Sequence, residues 1–223
     1  MASTVLQAAI SGEAGTAVAG LQVRNLETVR DDRVLFSGLG FDLEPGQVVQ
    51  VEGPNGCGKT TLLRTVCGFV WPEEGEIRWQ GEDIRRCRLE YQASLAYLGH
   101  NNGIKEELTP VENLLVARNL GQARADADLV AALERIGLRG YEDVASRNLS
   151  AGQRRRVALA RLLVTDAPFW ILDEPFTALD RRGVGMVEEM LRDHTARGGM
   201  AMISTHHPVE LPAHTVRLIH LGG

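Results

Sequence analysis

Gly53-Pro54-Asn55-Gly56-Cys57-Gly58-Lys59-Thr60 follows the pattern G-x-x-x-x-G-K-[ST]. Glycines at this spacing let successive backbone N–H groups wrap phosphate oxygens, while the lysine and the hydroxyl reach further along a phosphate chain. The flanks supply the context such a loop needs. Gln47 to Glu52 reads as a strand, and Thr60, Thr61 and the residues up to Val66 read as a helix that stops near Cys67 and Gly68. Upstream, alternation in Leu21-Gln22-Val23-Arg24, Val34-Leu35 and Phe41-Asp42-Leu43, with Glu44-Pro45-Gly46 as a turn, predicts antiparallel strands.

Downstream, Thr109-Pro110-Val111-Glu112 combines a capping hydroxyl, a proline at the first helical position and a carboxylate three residues after the cap, so a helix is predicted to begin there. Helical periodicity through Leu129 to Ile136 extends the reading, and residues 101–160 are predicted to be mostly helical. Phe169-Trp170-Ile171-Leu172, after Pro168, is a short apolar run that suits a buried parallel strand, and Ala201-Met202-Ile203-Ser204 is a second. The first delivers Asp173 and Glu174 to a sheet edge; the second delivers Thr205, His206 and His207. Strands alternating with helices, with polar residues at strand ends, predict an α/β sheet that binds its ligand along that edge.

These residues divide the chemistry of a nucleoside triphosphate among themselves. Lys59 is expected to reach the β- and γ-phosphates, and Thr60 and Asp173 to hold Mg²⁺. Glu174 is placed to deprotonate an attacking water, and His206 to hydrogen-bond the γ-phosphate. Leu149-Ser150-Ala151-Gly152-Gln153 reads as a second anion-binding helix start, in which Ser150 caps and Gln153 bonds back. His207 is expected to be an ordinary histidine and Asp180 a turn residue.

Bulk properties narrow the classes. A chain of 223 residues suits one well-buried domain. No run approaches the roughly eighteen apolar residues of a membrane helix, so a membrane role needs a partner. A formal net charge of -5 without a basic tail argues against a nucleic-acid binder. Cys57, Cys67 and Cys87 match neither a disulfide framework nor a zinc site and are read as reduced thiols. Residues 1–19 read as a flexible extension and 20–223 as one domain.

Taken together, from about residue 20 to the end, the chain resembles the ATP-binding cassette (ABC) ATPases: Leu149 to Gln153 stands where that family has its signature, Ile171-Leu172-Asp173-Glu174-Pro175 its Walker B segment, and Thr205-His206 its switch histidine. The resemblance implies an α/β fold with a RecA-like parallel core, an antiparallel β subdomain and a helical subdomain at about 101–160. It also implies ATP and Mg²⁺ as cofactors and a head-to-tail homodimer. In that dimer Ser150, Gly152 and Gln153 of one copy close over nucleotide held by Gly53, Pro54, Asn55, Gly56, Cys57, Gly58, Lys59, Thr60 and Thr61 of the other. Leu35-Phe36-Ser37-Gly38-Leu39, Val49-Gln50-Val51-Glu52-Gly53, Trp79-Gln80-Gly81 and Tyr97-Leu98-Gly99-His100 are similar to the ATP-binding subunits of the bacterial cytochrome c maturation system. That likeness implies a peripheral subunit on the cytoplasmic face of the inner membrane, with integral membrane partners and haem handling as its task; an ATPase of another ABC transporter and a soluble ABC clamp are the alternatives.

Two departures from the family pattern accompany these likenesses. His100-Asn101-Asn102 stands in place of the usual glutamine, which makes His100 the expected metal-sensing substitute. The segment Leu21 to Leu35 lacks the usual adenine-stacking aromatic, leaving Arg30 or an aliphatic side chain to meet the base and predicting loose base selectivity. The loop amides are expected to lower the pKa of the Cys57 thiol and raise its reactivity, with ATP shielding it from alkylation, although a small filler is the favoured role for the residue.

Overall fold

The structure is a computed structural model and describes residues 20–222; the extension expected over 1–19 lies outside the described residues. The strand β1 (Leu21–Arg30) turns through Asp31 and Asp32, both left-handed at φ 51° and 58°, into β2 (Arg33–Leu43). Aspartate tolerates that conformation, which two-residue hairpin turns demand. Next come β3 (Val48–Glu52), the glycine loop and α1 (Lys59–Val66), followed by β4 (Glu74–Trp79), β5 (Glu82–Asp83), α2 (Arg88–Ala93) and β6 (Leu95–Leu98). The helices α3 (Pro110–Leu120), α4 (Leu129–Arg135) and α5 (Ala151–Ala160) precede β7 (Phe169–Asp173), α6 (Arg181–Ala196), β8 (Met200–Ser204) and β9 (Val216–His220).

Two sheets result. One is antiparallel, in the order β2-β1-β4-β5; the other is parallel, in the order β6-β7-β8-β3-β9. The inner strands of the parallel sheet are largely apolar on both faces, and their period-2 alternation assigns their apolar residues to one of two cores. Phe169, Ile171, Met200, Met202, Val49 and Val51 pack with α1 and the antiparallel sheet. Trp170, Leu172, Ala201, Ile203 and Val48 pack with α3, α4, α5 and α6. Truncating Ile171 or Leu172, both with zero exposure, to alanine should cost about 2–5 kcal/mol, since neither cavity can collapse between two packed layers.

The cap read at Thr109 forms as expected: its Oγ1 accepts from Glu112 N at 3.2 Å and Glu112 Oε2 accepts from Thr109 N at 2.8 Å. The segment 101–160 holds α3, α4, a 3₁₀ turn at Ser146–Asn148 and α5, with long loops between them. Gly137 and Gly140, at φ 71° and 87°, follow the end of α4, where the periodicity through Ile136 stops.

Candidate active site

Parallel strands β3, β7 and β8 end along one edge, and each hands a polar group to it. The glycine loop after β3 curls back on itself. Gly53 sits at φ 147°, where a Cβ would lie 2.4 Å from the Leu221 carbonyl oxygen and 2.7 Å from Cys57 Sγ, so glycine is obligatory there. Among the described residues no acceptor within the chain takes the amides of Gly58, Lys59, Thr60 and Thr61, because α1 opens without a side-chain cap and its first internal bond is Leu62 N to Gly58 O at 2.8 Å. Four unspoken-for N–H groups at the positive end of a helix dipole form an anion cradle.

Lys59 is buried and its Nζ donates to the carbonyls of Gly53 at 2.7 Å and Pro54 at 3.3 Å. It also lies 3.2 Å from His206 Nε2. His206 Nε2 is further 3.4 Å from Asn55 Oδ1 and 3.9 Å from Glu174 Oε1, so the end of β8 meets both the loop and the carboxylate pair.

Asp173, 1% exposed, is pinned at both oxygens: Thr60 Oγ1 donates to Oδ2 at 2.9 Å and Ser204 Oγ to Oδ1 at 2.5 Å. Sequence reading had paired Thr60 with Asp173 and overlooked Ser204. The signal was its register: Ser204 ends β8 directly opposite Asp173 at the end of β7. Glu174 follows in a left-handed conformation at φ 48°, costing about 1–2 kcal/mol for a residue with a Cβ. Its N–H is held by both the carbonyl and the hydroxyl of Ser204, each at 3.0 Å.

Asn55, Gly56, Gly58, Lys59, Thr60, Thr61, His100, Asp173, Glu174 and His206 line one open cavity of about 790 Å³, together with Arg30, Asp31, Arg33 and Leu35. The structure thus gathers the loop, the carboxylate pair, the histidine and the expected replacement His100 on one volume. Cys57 takes the filler role expected of it rather than that of an accessible, reactive thiol. Its side chain is 8% exposed and packs into the core beneath the loop, so the protein itself shields the thiol. His207 rests on Phe176, ring centroids 5.0 Å apart, away from that cavity.

Ser150 and Gln153 do not line the cavity. They form the capping box read from sequence, Ser150 Oγ accepting from Gln153 N at 3.2 Å and Gln153 Oε1 from Ser150 N at 2.8 Å, on an exposed helix tip. Gly152 touches the segment after the carboxylates, where a Cβ would lie 2.7 Å from the Ala178 carbonyl oxygen. Asp180 caps α6 through Gly183 N at 2.9 Å and pairs with Arg156 at 2.6 Å. The neighbouring Arg155 is buried, donating to the carbonyls of Asp173 at 2.9 Å and Glu174 at 2.8 Å. Burial lowers its pKa from the usual value, and the charges of Asp173 and Glu174 oppose that shift. Its inward position was readable, because Leu159 and Leu162 stand four and seven residues on, along the same helical stripe.

The comparisons with known proteins agree with this geometry. The family model described as ABC transporter matches residues 36–177. The cytochrome c biogenesis ATP-binding export protein CcmA of Methylococcus capsulatus is 53% identical over 86% of this chain and 94% of that protein. The protein of the same name from Dechloromonas aromatica is 51% identical over 91% of this chain and all of its own length. Among solved structures, an ABC transporter ATP-binding protein from Pyrococcus furiosus superimposes with a TM-score of 0.79 at 25% identity, covering 91% of this chain and 98% of that one. With the phosphate cradle, the paired carboxylates and the two-sheet fold in place, the chain belongs to the ABC transporter family, as an ATP-binding subunit.

Proposed function

We propose that this chain hydrolyses ATP as a head-to-tail homodimer seated on integral membrane subunits, and that the work powers haem export, or release of a haem-loaded chaperone, in cytochrome c maturation. The carrying observation is the near full-length identity to proteins named for cytochrome c biogenesis, joined to an intact hydrolytic constellation. Among the described residues no helix is long and apolar enough to cross a membrane, which fits a peripheral subunit on the cytoplasmic face of the inner membrane. Neither another transport task nor a soluble clamp is favoured by any of these observations.

In this reading Lys59 and the free amides of α1 bind the β- and γ-phosphates. Thr60 and Asp173, whose oxygens already lie 2.9 Å apart, are the hard donors that suit Mg²⁺, with His100 on the same cavity. Bound there, the cation would neutralise charge that develops on the transferred phosphoryl group. Glu174 orients and deprotonates the attacking water, while His206 takes a γ-phosphate contact between Lys59 and Glu174. The tip at Ser150, Gly152 and Gln153 stands clear of its own cavity and is supplied to the cavity of the second copy.

The test is genetic and chemical at once. Deleting the gene should abolish covalently attached haem in periplasmic cytochromes, the wild-type gene should restore it and the Glu174→Gln gene should not. Normal cytochromes in the deletion strain would refute the assigned task while leaving the ATPase intact.

A further inference from the structure

Resting on the reading of Glu174 as the group that activates water, we propose that Arg155 is a positioning residue for hydrolysis, setting the backbone that aims Glu174 and the opposite cavity wall that carries His100. Its guanidinium spans both. Nη2 donates to the carbonyls of Asp173 at 2.9 Å and Glu174 at 2.8 Å, and Nε to that of Pro175 at 3.3 Å. Nη1 donates to the Gly99 carbonyl at 3.1 Å and to Asn102 Oδ1 at 3.3 Å, the residues that bracket His100.

Two features separate this contact from ordinary packing. Arg155 is 3% exposed, yet among the described residues it has no carboxylate at ion-pair distance, whereas the adjacent Arg156 pairs with Asp180. A buried cation whose hydrogen bonds all go to neutral oxygens is costly, even with the charges of Asp173 and Glu174 nearby, and it is retained here where three consecutive carbonyls emerge at the end of β7. A rigid planar fork with five N–H donors can serve them and the 99–102 loop together; a lysine cannot.

The second feature is the strain at Glu174. Its left-handed φ of 48° is held by Ser204 on the N–H side and by Arg155 on the carbonyl side. Loss of the fork frees the peptide after Glu174 to relax. The carboxyl group of Asp173 stays pinned by Thr60 and Ser204, and Lys59 stays bonded to the loop, so nucleotide binding has no reason to change. A positioning role therefore separates turnover from affinity, which a role in stability alone does not.

The test uses the full chain co-expressed with its membrane subunits and compares Arg155→Gln, Arg155→Lys, Arg155→Ala and Glu174→Gln. For folded Arg155→Gln, kcat should fall about 30- to 100-fold with nucleotide affinity within about threefold, the size of loss expected when a reacting group moves by about 1 Å. Arg155→Lys, keeping the charge but not the fork, should remain at least about fivefold slow. Guanidinium ion at low millimolar concentration should recover turnover in Arg155→Ala, and methylammonium should not. Wild-type kcat in folded Arg155→Gln or Arg155→Lys would overturn the proposal, as would an equal loss of affinity and kcat without guanidinium rescue. If no Arg155 variant folds, the residue is structural and the proposal falls. If Glu174→Gln itself turns over at the wild-type rate, the underlying assignment of Glu174 has failed instead.

Discussion

The N-terminus of α1 and the N-terminus of α5 are both glycine-flanked helix starts, and they are finished in opposite ways. At α1 the capping position is Gly58, with φ 106° and no side-chain cap, so the first amides are left for a ligand. At α5 the chain closes its own tip, with Ser150 taking the third amide and Gln153 returning the bond. Lys59 stands beside the first tip, whereas the adjacent Arg154 at the second is turned back on the Leu149 carbonyl at 2.6 Å. An uncapped helix start with a lysine binds phosphate unaided; a self-capped one adds a hydroxyl and two amides to a phosphate already held. In the proposed head-to-tail dimer, this asymmetry makes α1 the tip that recruits the nucleotide and α5 the tip that completes its enclosure.

The largest effect should come from a change that touches neither tip. Glu174→Gln leaves the cradle and the capping box as they are, removes the base and should lower turnover about 10²- to 10⁴-fold with ATP binding intact. ATP should then hold the two tips together, read as a stable dimer by size-exclusion chromatography; a monomer at saturating ATP would contradict the head-to-tail arrangement. Next in size is Lys59→Ala, which strikes the recruiting tip alone. Losing a charge-assisted phosphate contact of about 2–3 kcal/mol should raise the ATP dissociation constant roughly 30- to 150-fold, measured on the isolated chain by calorimetry. Ser150→Ala should do the reverse, leaving isolated-chain affinity within about twofold while turnover of the dimer falls about tenfold and the lost cap costs about 1 kcal/mol. Equal losses of affinity in Lys59→Ala and Ser150→Ala would erase the distinction between the tips.

How much of this was written in the sequence follows the same divide. The cradle was legible because loop, strand and helix are consecutive, and the two apolar runs announced where Asp173 and His206 would emerge. Ser150 and Gln153 were legible as a local capping box. Residues whose role depends on register between distant strands were not: Ser204 matters because β8 ends opposite Asp173, a fact of sheet order that one sequence does not carry. For Arg155 the helical stripe marks which of three consecutive arginines is buried, but the carbonyls it meets at the end of β7 are a fact of tertiary packing. β4 and β9 went unread because their residues mix polar and apolar types, and β6 because four residues, Leu95–Leu98, are too few to show a period; their strand state comes from pairing with β1, β3 and β7. Cys57 was readable as a filler but its accessibility was not: it lies inside the motif in sequence, and the curl of the loop turns its side chain to the core.

The smallest predicted effect lies at the other end of β7 from the carboxylates and should leave both tips unaltered. His194 is buried, stacked on Trp170 with centroids 3.8 Å apart, and bonded through Nε2 to the Met200 carbonyl at 3.1 Å. Burial lowers its pKa from 6.5 to about 4. The folded chain therefore keeps the imidazole neutral at pH values where the unfolded chain protonates it, and the unfolded state binds more protons between those two pKa values. Stability is full above about 6.5, declines as pH falls toward 4 and levels off below it, by about 1 kcal/mol at pH 5.5 and about 3 kcal/mol in total. Urea unfolding at pH 7.5 and 5.5 measures this, and His194→Phe, which keeps a ring on Trp170 but cannot titrate, should flatten the pH dependence by that amount. An unchanged slope would mean that other groups carry it. A matching change in ATP affinity would mean that the two ends of the parallel sheet are coupled, and the contrast between the two helix tips would then have to be redrawn for the whole sheet.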